Sequence, residues 1–459
     1  MSRDPLPTAR QTAWKTLNEC DVLSHDTAEV LNRHLARSDR PAQATDLVFG
    51  VIRHRITLDR ILTRCARIDT KRVKPTQWNL LRLGAYELVF APQTADYAII
   101  NEAVEIANRT RSKKTGGFIN AVLRKVQRAI ESRQAPLQGA AKSRAIPQNA
   151  ETGCLFKDDL LPDPAQDVVS YLNTAYSVPQ RLVHEWVAAY GRRQTEDLCL
   201  ASNRAPSVMA WPNTLCVTAE ELAARLHDET VACEQVADCV RIHSAGRMNR
   251  YRAYLEGLFY VQDTTAASAV KLLDPQPDWT VLDLCAAPGG KSMALAMLTG
   301  DAGVILSTDA NSKRLSRIRE NIKRLRLQSV EVVPYNHIDK VVSKEKKLDA
   351  ILLDVPCSNT GVLARRVEAR WRWNPEMVTK LQQMQQDLLK QAAAMARPGT
   401  RILYSTCSIQ PDENTRQVQA FLAANKQYKL LDEKLTLPAL QTKDAPDHDG
   451  GYAAVLEKK

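Results

Sequence analysis

The feature that most constrains the fold is a regular alternation of short β-prone runs and amphipathic helical stretches in the C-terminal part of the chain. The β-prone runs are residues 281–284, 304–308, 330–333, 350–353 and 402–405, the helical stretches are 291–298, 312–325 and 375–396, and a last run follows at 452–456. This alternation predicts an α/β fold with a parallel, doubly wound sheet. Such sheets bind ligands at the carboxyl ends of their strands, so residues that follow the predicted strands are the first candidates for function.

A chain of 459 residues is too long for one ordinary hydrophobic core, and the pattern divides it into four segments. Residues 1–130 carry apolar side chains at helical spacing and predict an all-α bundle. Residues 131–165, rich in Ala, Gln, Pro, Ser and Gly, predict a linker. Residues 166–270 predict a small α+β module, with a helix around 180–190 and a strand-like run at 208–211, and 271–459 are left for the α/β sheet.

The positive charge of the chain is concentrated in the first segment. The net charge is +11, and residues 1–130 hold 22 Lys and Arg against 13 Asp and Glu, a surplus of nine. A local surplus of this size fits a polyanionic partner such as nucleic acid, because neutralising phosphates releases counterions. A solvated basic face explains the surplus equally well at this point.

Composition excludes several classes of protein. No stretch approaches the roughly 18 apolar residues of a membrane helix, and the first residues lack the apolar run of a signal peptide, so we expect a cytosolic protein that binds no membrane. The ten cysteines include no C-x-x-C pair and no nearby Cys/His quartet. We therefore expect reduced thiols and no metal. Nothing in the pattern predicts an obligate protein partner.

The first predicted strand runs into a loop of small residues that fits a bound nucleoside. The loop consists of Cys285, Ala286, Ala287, Pro288, Gly289, Gly290 and Lys291. Small residues let the backbone approach a ligand closely, and the helix that follows presents free N–H groups. Asp309, at the end of the next strand, is placed to accept hydrogen bonds from a ribose. The plainer interpretation is a tight turn followed by a surface acid.

Two cysteines follow neighbouring strands of the predicted sheet. Cys357 comes soon after the fourth strand, which ends at Asp354, and Cys407 follows the fifth. Free cysteines are usually inert core residues, but packing does not require sulfur just past a strand end. We therefore expect two thiols and a carboxylate in one cleft.

Thiols beside a nucleoside cofactor suggest methylation of a pyrimidine. Carbon 5 of a pyrimidine is a poor nucleophile, and a thiolate that adds to carbon 6 turns carbon 5 into an enamine-like centre able to attack an activated methyl group. An acid or hydrogen-bond partner at N3, a role open to Asp354, would neutralise the charge on the ring. A second thiol would assist release.

Four strings carry a specific resemblance: VLDLCAAPGGK, LLDVPCSNTGV, YSTCSIQPDEN and DGGYAAVLEKK. They resemble the RNA 5-methylcytosine methyltransferases of the Sun/RsmB type, whose bacterial members methylate 16S rRNA with S-adenosylmethionine on a Rossmann-like domain. Residues 1–130 resemble the NusB-like RNA-binding domain of bacterial members, and VQDTTAASAV at 261–270 resembles the segment that leads into the catalytic domain. The resemblance thus covers nearly the whole chain except the linker.

The resemblance implies a role for each candidate residue. Cys407 would be the nucleophile, Cys357 would help to resolve the adduct, and Asp354 would lie between cofactor and base. The loop 285–291 would line the cofactor and Asp309 would hold its ribose.

The chain departs from the family pattern at two points. Val355 stands where the family usually has Ala, a change we expect to be tolerated. Asn336, with Asp339 three residues later, stands where an Asp usually faces the adenine. An Asn can still donate and accept hydrogen bonds, so we expect Asn336 to contact the cofactor.

The resemblance favours small-subunit ribosomal RNA as the substrate. A transfer RNA cytosine methyltransferase and a non-catalytic RNA-binding or assembly factor are the alternatives. Downstream of Cys357, a cluster of cations and aromatic rings is expected to grip an RNA backbone and stack bases, and a packed Trp with surface arginines is the alternative. Its members are Arg365, Arg366, Arg370, Trp371, Arg372 and Trp373.

Overall fold

A computed structural model describes residues 6–110, 112–243, 248–343, 348–443 and 445–459. Contacts divide the chain into two compact units. The first consists of Met1–Arg204 with Arg366–Trp373, and the second of Ala205–Arg365 with Asn374–Lys459. The boundary between Arg204 and Ala205 falls inside the range 166–270, which the sequence predicts as one module. The domain boundaries drawn from the sequence stay a prediction. In the described ranges no helix is both long and apolar enough to cross a membrane.

The first unit begins with the predicted helical bundle. Its helices are α1 (Ala9–Glu19), α2 (Thr27–Leu35), α3 (Pro41–Arg53), α4 (Arg55–Ala66), α5 (Pro75–Phe90), α6 (Asp96–Thr110) and α7 (Lys113–Ala129). Side-chain caps start several of them, with Thr8 accepting from the Gln11 N–H before α1 and Asp26 accepting from the first turn of α2. Helix α5 is buried from Leu80 to Val89 and forms the centre of the bundle.

The segment predicted as a linker instead forms an antiparallel sheet. Strands β1 (Ile130–Pro136), β2 (Ala145–Pro147) and β3 (Thr152–Phe156) pair in the order β1-β3-β2. Arg133 on β1 donates from Nη2 to the carbonyls of Glu87 and Ala91 at 2.7 and 2.6 Å, which caps the end of α5. Runs of three to seven residues are too short to show alternation, and their stability comes from these tertiary contacts, which local composition does not reveal. Helices α8 (Val168–Tyr176) and α9 (Gln180–Ala201) complete this part.

The second unit contains two sheets and the helices that cover them. Its N-terminal elements are β4 (Val208–Pro212), α10 (Ala219–Asp228), β5 (Cys233–Val236), β6 (Cys239–Ile242), α11 (Arg252–Leu255), β7 (Phe259–Val261) and α12 (Thr264–Leu272). The four strands form an antiparallel sheet in the order β5-β6-β4-β7. The predicted strand at 208–211 is therefore confirmed as part of β4.

The predicted α/β alternation is confirmed from residue 280 onward. The elements are β8 (Thr280–Asp283), α13 (Gly290–Leu298), β9 (Val304–Ser307), α14 (Leu315–Leu325), β10 (Val330–Val332), α15 (Ile338–Val342), β11 (Ala350–Asp354), α16 (Ala369–Arg372, in the first unit), α17 (Pro375–Met395), β12 (Arg401–Thr406), α18 (Thr415–Ala424), β13 (Tyr428–Thr436) and β14 (Gly451–Lys458). The sheet order is β10-β9-β8-β11-β12-β14-β13, with the first five strands parallel. Strand β14 pairs antiparallel with both β12 and β13, so the sheet is mixed rather than wholly parallel.

The strand order reverses between β8 and β11. The chain moves outward through β9 and β10 on one side of β8 and through β11 and β12 on the other. Side chains of successive residues enter different hydrophobic cores, as Val281 and Leu282 do, so both faces of the sheet are buried. This reversal opens a crevice at the carboxyl ends of the strands, where the candidate residues lie.

The cluster at 365–373, expected to contact RNA, directs several of its side chains into the protein. Arg370 has 0% exposure, and its Nη1 donates to the Arg53 carbonyl at 3.0 Å and to Asn203 Oδ1 at 2.9 Å, while Nη2 donates to the Ser202 carbonyl at 2.9 Å. Trp371 donates to the Ile52 carbonyl at 3.1 Å. Trp373 is buried, and Arg365 pairs with the carboxylates of the half-buried Asp263 and the buried Asp449. The prediction is wrong for the buried Arg370 and Trp373, because Arg can satisfy backbone carbonyls inside a protein as well as phosphates at its surface.

Replacing Arg370 with Met should destabilise the first unit by about 3 kcal/mol, because several buried oxygens lose their donor. Urea unfolding measures this change. Arg366→Met is the matched control, since Arg366 is exposed, and it should alter the unfolding free energy by less than about 0.5 kcal/mol. A loss of RNA affinity in Arg370→Met with unchanged stability would contradict this assignment.

Candidate active site

The two cysteines lie together at the end of the sheet. Strands β11 and β12 are parallel neighbours with Asp354 opposite Ser405, so the loops that follow them run side by side. Cys357 Sγ and Cys407 Sγ are 3.2 Å apart. This confirms the expectation that the two thiols are neighbours.

The thiols differ in their access to solvent. Cys407 is half-buried and lines a cavity of the second unit, whereas Cys357 is 8% exposed. The hydrogen bond with Cys407 and burial both raise the pKa of Cys357 well above its usual value. Cys357 therefore holds its proton at neutral pH, and Cys407 is the thiol that a ligand in the cavity can reach.

Close contacts between loops allow this arrangement. The Gly361 N–H donates to the Cys407 carbonyl at 3.0 Å, and the Gly450 N–H donates to the Gly361 carbonyl at 2.8 Å. A Cβ on Gly361 would lie 2.5 Å from the Gly450 carbonyl oxygen and 2.9 Å from that of Cys407. Only glycine fits at 361, and three loops of the second unit thus meet at the nucleophile candidate.

An ion pair lies beside the thiols. Lys291 Nζ is 2.7 Å from Asp354 Oδ2, and Asp354 Oδ1 accepts from Ser405 Oγ at 3.1 Å. Burial acts to lower the pKa of Lys291, but the attraction of Asp354 outweighs it and the net shift is upward. Lys291 also lines the cavity that contains Cys407. A permanent cation and a carboxylate are therefore available next to the thiols.

The loop after β8 has the geometry of a ligand cradle. Gly289 has a φ of 105°, which favours glycine, and helix α13 starts immediately after it. Asp309, at 6% exposure, accepts from the Ala287 N–H at 3.3 Å and the Asn311 N–H at 2.8 Å, and it pairs with Arg314 at 3.3 Å. A hydrogen bond thus links Asp309, the residue predicted to hold a ribose, to the predicted loop. A carboxylate has about four acceptor sites, so Asp309 retains one for a hydroxyl group.

A second acid of this loop has an unused acceptor. Asp283 is fully buried, its Oδ2 accepts from Ser292 Oγ at 2.6 Å, and its Oδ1 has no hydrogen-bond partner among the described residues. Burial raises the pKa of Asp283 to about 7. A buried polar atom without a partner is costly, so a donor from a ligand would stabilise it. These residues fit S-adenosylmethionine, which carries ribose hydroxyls and an ammonium group.

Asn336 and Asp339 follow β10 at the edge of the sheet. Both side chains are exposed, and Asn336 stands four residues beyond the end of the strand. A contact of Asn336 with the cofactor stays a prediction. Across the described ranges, no cluster of His, Cys, Asp or Glu could hold a metal ion.

Sequence reasoning missed Glu413. This residue connects the two thiol loops, which are the loops that follow β11 and β12 and carry Cys357 and Cys407. Glu413 is fully buried and accepts from the Ser358 N–H at 2.8 Å, Ser408 Oγ at 2.6 Å and Gln385 Nε2 at 3.1 Å, and also from Ser358 Oγ. Ser358 and Ser408 are the residues directly after the two cysteines. Glu413 lies in the string YSTCSIQPDEN, but an acid after Pro and Asp looks like a surface turn, and no periodicity indicates its burial.

Comparison with known proteins identifies the family of this chain. Residues 270–449 match the family described as 16S rRNA methyltransferase RsmB/F, residues 7–128 match the NusB family, and residues 178–249 match the ferredoxin-like domain of RsmF/B-like methyltransferases. A relative from Synechocystis is 30% identical over 98% of this chain and 99% of its own length. A relative from Bacillus subtilis is 30% identical over 84% of this chain and 80% of its own. Both are named probable ribosomal RNA small subunit methyltransferase B.

A solved structure shares the fold. The crystal structure of PH0851 matches 100% of both chains with a TM-score of 0.74 at 22% identity. The resemblance noted from the sequence motifs is confirmed by the family matches.

Replacing Glu413 with Ala should lower the free energy of unfolding of the second unit by about 2–4 kcal/mol, because four buried donors lose their acceptor. Urea unfolding measures the change. The neighbouring Asp412, which makes an exposed pair with Arg416, is the control, and Asp412→Asn should change stability by less than about 0.5 kcal/mol. Equal stability of the two variants would show that Glu413 does not hold the loops.

Proposed function

Because this chain belongs to the RsmB/F family of small-subunit ribosomal RNA methyltransferases, we propose that it methylates carbon 5 of a cytosine in that RNA through a covalent bond from Cys407 to carbon 6. S-adenosylmethionine supplies the methyl group. The observation that carries this proposal is the 3.2 Å distance between the Cys357 and Cys407 sulfurs, beside the ion pair of Lys291 and Asp354. These residues lie at the same end of the sheet as the loop 285–291, which fits a nucleoside. Methylation of an exocyclic amine needs no thiol, so that chemistry leaves the cysteines without a role.

The nucleophilic step belongs to Cys407 because it is the thiol that lines the cavity. The thiol loses its proton to solvent, the sulfur forms a bond to carbon 6, and the electrons of the 5,6 double bond move onto carbon 5. Carbon 5 then takes the methyl group, and bound S-adenosylmethionine would keep the electrons of the broken sulfur–methyl bond. The bond between carbon 5 and its proton breaks next: the proton passes to solvent, and the electrons re-form the double bond as the Cys407 sulfur leaves carbon 6 with the electrons of its own bond.

Cys357 is proposed to act in release. It stays protonated and lies within hydrogen-bond distance of Cys407 Sγ. A protonated neighbour stabilises the departing thiolate of Cys407, which helps the bond to carbon 6 to break. Asp354 is proposed to interact with the N3 side of the ring, while its ion pair with Lys291 keeps the carboxylate in place.

The cofactor is proposed to lie along the loop 285–291. Asp309 would hold its ribose, and Asn336 would contact its adenine. The helical segment 1–130, which matches the NusB family over 7–128 and carries the surplus of nine charges, is proposed to bind RNA. Bases inside an A-form helix are inaccessible, so the target cytosine is expected in a loop or flipped out.

Cys407→Ala should abolish methylation of 16S rRNA, because no covalent adduct can form. Cys357→Ala should accumulate an RNA–protein adduct that survives denaturing gel electrophoresis, because release is slowed. Cys216→Ala is the control, since Cys216 is exposed and distant in sequence from the motifs, and it should behave as wild type. Bisulfite sequencing identifies the lost 5-methylcytosine.

The outcomes separate the alternatives. Full activity in Cys407→Ala would eliminate the covalent mechanism. A 5-methylcytosine lost from transfer RNA instead of ribosomal RNA would favour the transfer RNA substrate. An absence of methylation by the wild-type protein on either RNA would favour a binding or assembly factor.

Asp309→Ala should raise the Kd for S-adenosylmethionine about tenfold, as expected for loss of a hydrogen bond to a charged group. Isothermal titration calorimetry measures the change. Asp387→Ala on the exposed face of α17 is the control and should leave the Kd unchanged. The same titration on Asn336→Ala and Asp339→Ala tests which side chain contacts the cofactor, and an unchanged Kd in Asp309→Ala would remove Asp309 from the site.

A further inference from the structure

The side chain of Asn359 bridges the two thiol loops. Asn359 Nδ2 donates to the Cys357 carbonyl at 2.9 Å, and Asn359 Oδ1 accepts from the Cys407 thiol at 3.1 Å. The carboxamide thus contacts the backbone of one cysteine and the sulfur of the other. Asn359 lies within the second unit, two residues after Cys357.

The backbone fixes this carboxamide in place. Asn359 has a φ of 61°, in the left-handed region that asparagine tolerates better than other residues with a Cβ. Its carbonyl accepts from the Val362 N–H at 3.1 Å, which closes a turn. Because Nδ2 is engaged by the Cys357 carbonyl, the orientation of the amide is set and Oδ1 faces Cys407.

We infer that Asn359 is a positioning residue that orients the Cys407 thiol until a base enters the cavity. The hydrogen bond from the Cys407 thiol to Asn359 Oδ1 must break before the sulfur forms a bond to an electrophile. Because this hydrogen bond is lost on reaction, the contact limits attack of Cys407 on other electrophiles. On attack, the proton leaves to water in the cavity, the electron pair stays on sulfur, and the new bond forms to carbon 6. This inference rests on the proposed role of Cys407.

Two variants distinguish the effect of the Asn359 carboxamide from the effect of the backbone conformation at this position. Asn359→Gly removes the side chain and adopts the positive φ without strain, whereas Asn359→Ala removes the same group and strains the turn. In both, alkylation of Cys407 by iodoacetamide at fixed pH, followed by peptide mass spectrometry, should be about fivefold faster, as expected for loss of one hydrogen bond of about 1 kcal/mol. The kcat for RNA methylation should fall about tenfold with the KM for RNA unchanged, because orientation is lost while binding is not.

Asn359→Asp provides the rescue. It keeps an acceptor oxygen and also tolerates the left-handed region, so alkylation of Cys407 should stay at or below the wild-type rate. Alkylation of the exposed Cys216 in the same samples serves as the internal reference and should not change.

An unchanged alkylation rate in Asn359→Gly, or a faster rate in Asn359→Ala alone, would overturn the inference. Alkylation requires no RNA, so it tests Asn359 even if the wild-type protein fails to methylate ribosomal RNA. If alkylation of Cys407 is faster in Asn359→Gly but the wild-type protein methylates no RNA, the proposed function is refuted. The inferred effect of Asn359 on the Cys407 thiol is then still supported. Methylation lost only in Cys407→Ala, with unchanged alkylation and kcat in Asn359→Gly, would support the function and refute the role of Asn359.

Discussion

The parallel pairing of β11 with β12 is the constraint on which the candidate site depends. Parallel strands end at the same edge of a sheet, so a register that sets Asp354 opposite Ser405 brings together the loops that carry Cys357 and Cys407. A shift of one residue would turn the side chains of β12 to the opposite face and break the contact of Asp354 with Ser405. Burial of both faces of the sheet specifies the register, because alternate residues fill two separate cores. Hydrophobic packing therefore fixes the geometry of the chemistry.

The buried charge of Glu413 and the half-buried charge of Arg365 complete the arrangement that the strands begin. Glu413 satisfies donors from the residues that follow both cysteines, and Arg365 pairs with Asp263 and Asp449 within the same unit. A buried charge is tolerated only with good partners, so each of these groups ties distant parts of the chain to one geometry. The site is thus held by ionic and polar contacts whose partners lie far apart in sequence.

The sequence predicts the helices and parallel strands from 280 onward because their periodicity is local. It also predicts that Cys357 and Cys407 meet, since strand ends of a parallel sheet share an edge. Strand β13 escapes prediction because most of its residues are exposed on both faces, which removes the alternation of apolar and polar residues. Arg370 and Glu413 escape because burial of a charge depends on partners that no local pattern reveals. The role of Asn359 is equally hidden, since a positive φ and two thiol loops must coincide before its carboxamide gains a function.

The order of the last strands has a consequence for the order of folding. Strand β14 lies between β12 and β13, although it follows both in the chain. During synthesis β13 therefore emerges before the strand to which it will pair, and β12 remains an edge strand until residues 451–458 are made. Gly450, immediately before β14, donates to Gly361 in the loop that also binds the Cys407 carbonyl. Strand β14 thus brings support for the thiols, so the nascent chain completes this support only after residues 451–458 are made.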